Sequence, residues 1–296
     1  MEQENIPTGG YAPALPLTGL RDAAERIRSG IQRVIIGQDA VIDQLITALL
    51  SDGHVLIEGM PGVAKTLAAK LLARTVDTGF ARIQFTPDLM PSDVIGTSIF
   101  DPRTAAFTFK PGPIFSNVVL VDEINRAPAK TQSALFEVME ERQVTVDGTT
   151  HPVGDPFMIV ATQNPIEHEG TYRLPEAQLD RFLFKIDMGH PSLEEEEQLL
   201  LRAQEGPHRM DAAQVAPVIT PAELVRLREL VFQVKCDAKL VRYIAEIAQA
   251  TRNDRNLMLG ASPRASLAVQ RAAKAVAAVQ GRDFTIPEDI RQVLPA

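Results

Sequence analysis

The stretch HVLIEGMPGVAKTLAAKLLART, residues 54–75, decides how the rest of the chain is read. HVLIEG is a short apolar run of the kind carried by a strand buried on both faces. Residues 65–76 read as a helix. Between strand and helix lies GMPGVAKT, Gly59 to Thr66. Glycines there let the backbone wrap a phosphate, and the amides at the following helix N-terminus point at anionic oxygens. Lys65 supplies a point charge for β- and γ-phosphates, and the Thr66 hydroxyl is placed to bind Mg²⁺. The run Gly59, Met60, Pro61, Gly62, Val63, Ala64, Lys65, Thr66 and Leu67 is therefore taken as the nucleotide cradle. One residue departs from the general loop, which has Gly before the Lys where this chain has Ala64. Taken alone, the loop also fits an ordinary Gly-Pro turn ahead of a helix.

Outward from this point strands and helices alternate. FARIQF (80–85), NVVLVDE (117–123), FMIVATQN (157–164) and FLFKID (182–187) read as strands, with a helix over 130–142. Residues 20–34 and 39–50 carry helical spacing on either side of a break at Ile36, Gly37 and Gln38. This alternation predicts an α/β fold with a parallel sheet covered on both faces. Residues 93–116 and 143–156 interrupt it as two β-hairpins, the second turning at Asp147-Gly148. Beyond about residue 189 the periodicity is helical, with a capping box at Ser192 and Glu195 and first-turn prolines at Pro221, Pro263 and Pro287. The expected layout is a flexible leader (1–17), an αβα unit (18–189) and a small helical unit (190–296).

The second apolar strand ends in Asp122-Glu123, at the strand end where α/β sheets bind ligands. Asp122 suits a Mg²⁺ shell, and Glu123 suits a general base that polarises the attacking water. Seen alone, the pair is also what two solvated carboxylates at a strand end look like, but a phosphate loop upstream changes that weighing. Asn164 ends the next strand, where a neutral amide can orient water or touch a γ-phosphate; before Pro165 it also suits a turn. Arg181 stands where an exposed guanidinium reaches a nucleotide in a neighbouring subunit, or else pairs with Asp180 or Glu176. Arg264 follows an N-cap Ser262 and first-turn Pro263, where a cation opposes the helix dipole; that favours a phosphate partner over simple solvation. The backbone at Ile36, Gly37 and Gln38 is placed to read an adenine edge.

Composition narrows the field. A net charge of −8 argues against general attraction to nucleic acid or an anionic membrane. The one cysteine, Cys236, excludes an intrachain disulfide and a Cys-built zinc site and fits a reducing cytoplasm. The N-terminal residues lack the pattern of a signal peptide, and no apolar run is long enough to span a bilayer, so a cytoplasmic protein is expected.

Read together, GMPGVAKT (59–66), VVLVDEINRA (118–127), ATQNPIEHEGTYRLPEAQLDRF (161–182) and GASPRA (260–265) resemble the MoxR family of AAA+ ATPases, over roughly residues 20–296. The Ala64 departure and both hairpins also look like that family. The resemblance implies an AAA+ αβα domain with a helical lid, binding ATP and Mg²⁺. It makes Gly59, Gly62, Lys65 and Thr66 the Walker A residues, and Asp122 and Glu123 the Walker B pair. It makes Asn164 sensor 1, Arg181 the arginine finger, and Arg264 a sensor 2 acting on its own or a neighbour's nucleotide. It further implies a hexameric ring, chaperone work on partner complexes including metal-cofactor enzymes, and a partner with a von Willebrand factor A domain. Relatives usually continue into a further helix after PEDIRQVLPA, so the lid is read as ending early. A nucleic-acid motor or loader is the rival reading. It needs basic hairpins, and there the sequence offers Arg103, Lys110, Arg142 and His151.

Overall fold

The computed structural model describes residues 14–60, 62–103, 105–165, 171–172, 174–204, 212 and 215–296. Helices α1 (Thr18–Gln32) and α2 (Asp39–Leu50) lead into β1 (Val55–Gly59), α3 (Lys65–Thr75) and β2 (Phe80–Gln84). Then come α4 (Pro91–Ile95), a hairpin of β3 (Gly96–Asp101) and β4 (Ala106–Pro111), and β5 (Val118–Asp122). Helix α5 (Ala129–Glu141) precedes the second hairpin, β6 (Gln143–Val146) and β7 (Thr149–Pro152), and then β8 (Met158–Gln163). Helix α6 (Glu176–Leu179) leads to β9 (Phe184–Met188). The remaining helices are α7 (Leu193–Gln204), α8 (Pro221–Gln233), α9 (Ala238–Asn253), α10 (Pro263–Val279) and α11 (Pro287–Val293).

Five strands form one parallel sheet in the order β2-β5-β8-β1-β9. Alternate residues of each strand feed opposite cores, as a period of two requires. Val55, Ile57, Val118, Leu120 and Val160 face the core built with α1, α2 and α3. Leu56, Val119, Val121, Ile159 and Ala161 face the core built with α5. Both sets are buried, which explains why these strands read as unbroken apolar runs. Each such valine, leucine or isoleucine side chain contributes about 1.5–3 kcal/mol on burial.

Helix α10 is the spine of the helical unit. Ala272, Ala273, Ala275, Ala277 and Ala278 are buried along it, and small side chains let neighbouring helices approach closely. Arg228 of α8 joins this unit to the base of the sheet, donating to Leu49 O and pairing with Asp52 and Asp155. The leader is shorter than the sequence suggests. Leu17 is buried in the core, and the Ala14 N–H donates to Asp283 Oδ2 at 2.8 Å, so residues 14–17 are strapped down by apolar burial and a hydrogen bond. Residues 1–13 lie outside the described residues.

His54 fixes the base of β1. Its Nδ1 accepts the Ile159 N–H at 3.0 Å, so Nε2 carries the proton and donates to Met139 O at 3.2 Å. Burial, reinforced by the nearby Arg142 charge, pushes its pKa down to about 3. The unfolded chain takes up a proton near pH 6.5 that the folded chain refuses. Stability from the neutral imidazole is therefore complete above pH 6.5 and falls as pH drops toward 3, by at most about 1.4 kcal/mol per pH unit. Urea unfolding at pH 7.5 and pH 5 should show this loss in the wild type and a smaller loss in His54→Gln; equal losses in both would remove His54 as the cause.

Candidate nucleotide site

The phosphate loop leaves β1 at Gly59 and enters α3 at Lys65. Met188 O would stand 2.5 Å from any Cβ on Gly59, so only glycine admits this approach of β9. Met60, Val63 and Leu67 turn their side chains into the core and anchor the loop from below. Pro61 lies outside the described residues. Ala64 has φ 65° and ψ 24°, in the left-handed region, just after Gly62 at φ 91°. That conformation is why the general loop prefers Gly before the Lys, and an alanine there costs roughly 1–2 kcal/mol. The Lys65 ammonium donates to Gly59 O at 2.6 Å and Gln163 O at 3.4 Å, bridging the ends of β1 and β8.

The carboxylates come from the neighbouring strand end. Asp122 is buried, and its Oδ2 receives Arg82 Nε at 2.6 Å and lies 3.4 Å from the Thr66 hydroxyl. Its Oδ1 accepts from the Thr162 hydroxyl at 3.0 Å, and that same hydroxyl accepts the Glu123 N–H at 3.1 Å. Glu123 itself sits at φ 56°, a second non-glycine residue in the left-handed region, where strain is commonly stored at working sites. Its Oε2 accepts from Gln84 Nε2 at 2.7 Å and pairs with Arg126 Nε at 3.1 Å. Asn164 is buried directly beyond β8. The Thr66 and Asp122 oxygens suit a hard cation that takes one or two protein ligands and completes its shell with phosphate and water, the Mg²⁺ pattern. The side-chain oxygen of Gln163, the last residue of β8, is buried with no hydrogen-bond partner among the described residues.

The expected adenine-reading segment is tied to the same edge of the sheet. Gln38 Nε2 donates to Gly189 O at 2.9 Å, next to the Met188 that crosses Gly59. Gly37 has φ 68°, and Glu195 from α7 occupies the place of a Cβ. Ile36 is half-buried beside them.

Arg181 and Arg264 are not part of this group. They stand at the opposite edge of the sheet, beside Asp52, Gly53 and His54, which precede β1. The length of β1 separates them from the phosphate loop, roughly 16 Å at about 3.3 Å per residue. Arg181 pairs with Glu140, not with Asp180 or Glu176, and Arg264 pairs with Glu140 as well. Asp180 instead accepts the Ser262 hydroxyl at 2.6 Å, and Ser262 caps α10 as expected.

Sequence reasoning passed over Arg82, Gln84, Thr162 and Glu140. Arg82 and Gln84 share one face of β2, and two polar residues at spacing two inside FARIQF were a legible signal of a polar strand face. Nothing local marks Glu140, which lies in the last turn of a helix that also carries Glu137 and Glu141.

The chain was compared with known proteins. The model of the ATPase family associated with various cellular activities (AAA) matches residues 54–184, and that of the AAA lid domain matches residues 249–296. Chaperone MoxR1 of Mycobacterium tuberculosis is 48% identical over 92% of this chain and 73% of its own length. The uncharacterised protein YeaC of Bacillus subtilis is 50% identical over 90% of this chain and 82% of its own. A crystal structure of a candidate ATPase from Cytophaga hutchinsonii superposes with a TM-score of 0.85 at 41% identity, over 94% of this chain and 86% of that one.

The strain at Ala64 can be measured. Ala64→Gly removes it while adding freedom to the unfolded chain, so its stability should equal the wild type or exceed it by up to about 1 kcal/mol. Ala64→Val puts a β-branched residue in the left-handed region, and ATP binding should weaken at least roughly tenfold. Thermal unfolding and titration with a fluorescent ATP analogue report both; a Gly variant clearly less stable than the wild type would contradict the strain argument.

Proposed function

The chain belongs to the MoxR family of AAA+ ATPases, and on that premise we propose that it is an ATP-hydrolysing chaperone that acts as a ring and remodels or matures partner protein complexes. The observation that carries the reading is the division of the site. One edge of the sheet holds Lys65, Thr66, Asp122, Glu123 and Asn164, and the other presents Arg181 and Arg264. A subunit whose arginines stand a strand length from its own phosphate loop needs a neighbour to complete each site. Identical subunits joined head to tail in this way form a ring when the rotation between them closes, and a ring of six is what the family resemblance implies.

In this mechanism the loop amides and Lys65 hold the phosphates, and Ile36, Gly37 and Gln38 hold the adenine. Thr66 and Asp122 would hold Mg²⁺, which would supply positive charge to offset that of the phosphates. Arg82 compensates the buried Asp122 carboxylate. Glu123, aimed by Gln84, Arg126 and Thr162, takes a proton from water as its oxygen attacks the γ-phosphorus; the bond to the β-phosphate oxygen breaks and ADP leaves. Asn164 orients that water. Arg181 and Arg264 of the neighbour stabilise the charge that spreads over the transferring group.

Work on a partner falls to the hairpins. Ile99, Phe100 and Phe107 are exposed on the first of them, with Phe107 73% exposed. Arg103 there is already paired with Asp101. Apolar tips suit a protein client, and this favours the chaperone over the nucleic-acid motor. A protein with a von Willebrand factor A domain is the partner class that the resemblance supplies. Among the described residues no helix is long and apolar enough to cross a membrane. The single cysteine suits a reducing compartment, and a cytoplasmic location belongs to this reading.

Glu123→Gln should bind ATP as the wild type does and turn over roughly 10²–10⁴-fold more slowly. Arg181→Ala should lose a comparable or larger factor, about 10³-fold or more, with ATP binding intact. Each parent is then inactive for a different reason. Mixing the two should raise turnover at least roughly tenfold over either alone, because Glu123→Gln subunits lend their arginines to intact sites next door. A mixture as inactive as its parents would rule out the shared site.

A further inference from the structure

Three segments far apart in sequence meet at one carboxylate. Arg181 Nη1 donates to Glu140 Oε2, and Arg264 Nη2 donates to Glu140 Oε1. Each oxygen of the carboxylate thus takes one arginine. A second link runs alongside, from the Ser262 hydroxyl to Asp180 Oδ1, between the residue before Arg181 and the N-cap of the helix that carries Arg264. The two guanidiniums repel each other, and Arg264 also faces the positive end of the α10 dipole. Glu140 offsets both penalties at once. A guanidinium has five N–H donors, so one bond to Glu140 leaves most of them available. The Nε of Arg181 is buried and has no hydrogen-bond partner among the described residues. Beside the pair opens a cavity of about 300 Å³, lined by Asp180 and Arg271 among others.

We propose that Glu140 is a positioning residue that yokes Arg181 and Arg264 into one two-armed cation, which a neighbouring subunit's γ-phosphate meets as a unit. This rests on the shared-site reading above. The helix that carries Glu140 adds a consequence. Helix α5 begins just after the turn Ile124–Arg126 that follows Glu123, and Glu140 lies in its last turn. Its 13 residues span roughly 20 Å as a rigid rod. The carboxylate that deprotonates water in one subunit and the arginines that subunit offers next door therefore stand at the two ends of one helix. Loss of Glu140 leaves the arginines present but splayed, and misplacement of about 1 Å is enough to cost up to about 100-fold in rate.

The test uses full-length Glu140→Ala and Glu140→Gln, with steady-state turnover, nucleotide binding and thermal unfolding measured on each. Both variants should lower kcat roughly 10- to 100-fold with KM for ATP within about twofold and the melting temperature unchanged. Glu140→Asp, which keeps the charge on a shorter arm, should recover part of the loss. Mixing Glu140→Ala with Glu123→Gln should restore turnover, because the second parent supplies well-placed arginines. Mixing Glu140→Ala with Arg181→Ala should not, because neither parent supplies them. A wild-type kcat in Glu140→Ala would overturn the proposal, as would a lowered melting temperature with weakened ATP binding, which would assign Glu140 to the fold. If Arg181→Ala with Glu123→Gln regains activity but Glu140→Ala with Glu123→Gln does not, Glu140 acts within its own subunit and the yoke is wrong. If neither mixture regains activity, the shared site itself fails and the yoke falls with it.

Discussion

In a parallel sheet all strands end on the same edge, and here that edge gathers Gly59, Asp122 and Gln163 from β1, β5 and β8. The phosphate loop, the carboxylate pair and Asn164 hang from it because each directly follows one of those strands. The same constraint sends Arg181 the other way. It stands before β9, so it enters at the opposite edge, and no rotamer of its side chain crosses a sheet that is roughly 16 Å deep. The separation of Arg181 from the phosphate loop thus follows from strand direction, before any detail of side-chain chemistry is considered.

Within the carboxyl edge, charge is arranged ahead of any ligand. A buried Asp122 without a counter-ion would be costly, and Arg82 and Thr162 meet that cost. The Thr162 hydroxyl donates to the Asp122 carboxylate and accepts from the Glu123 amide, so a single side chain of β8 ties down the end of β5 and the residue after it. Ala64 and Glu123 both hold left-handed backbone conformations. One shapes the loop between β1 and α3, and the other turns the chain at the end of β5 where the Glu123 carboxylate stands. The core packed beneath each of them, Val63 and Leu67 on one side and Ile124 on the other, is what sustains the strain.

The hairpins extend the αβα unit on a different side and are coupled to each other. Phe109 of β4 stacks on His151 of β7 with ring centroids 4.0 Å apart, and it meets Phe115 edge-on. The exposed Phe107 and Phe100 pack against each other above this contact and give the unit its apolar tip.

What the sequence determined by itself was local. The phosphate loop, the paired carboxylates, the N-cap of α10 and the two hairpin turns are each written in a few consecutive residues, because backbone conformation and strand or helix ends are set by near neighbours. The α/β class was legible for the same reason, from apolar runs alternating with helical spacing. What tertiary structure decided was adjacency. Strand order β2-β5-β8-β1-β9 puts Arg82 and Gln84 beside Asp122 and Glu123 across about 40 residues of sequence, and no local pattern encodes which strands become neighbours. The burial of Leu17 and the meeting of Arg181, Arg264 and Glu140 belong to the same category. Each depends on how the helical unit packs against the base of the sheet, and that packing is fixed by the summed burial of two cores and not by any one segment.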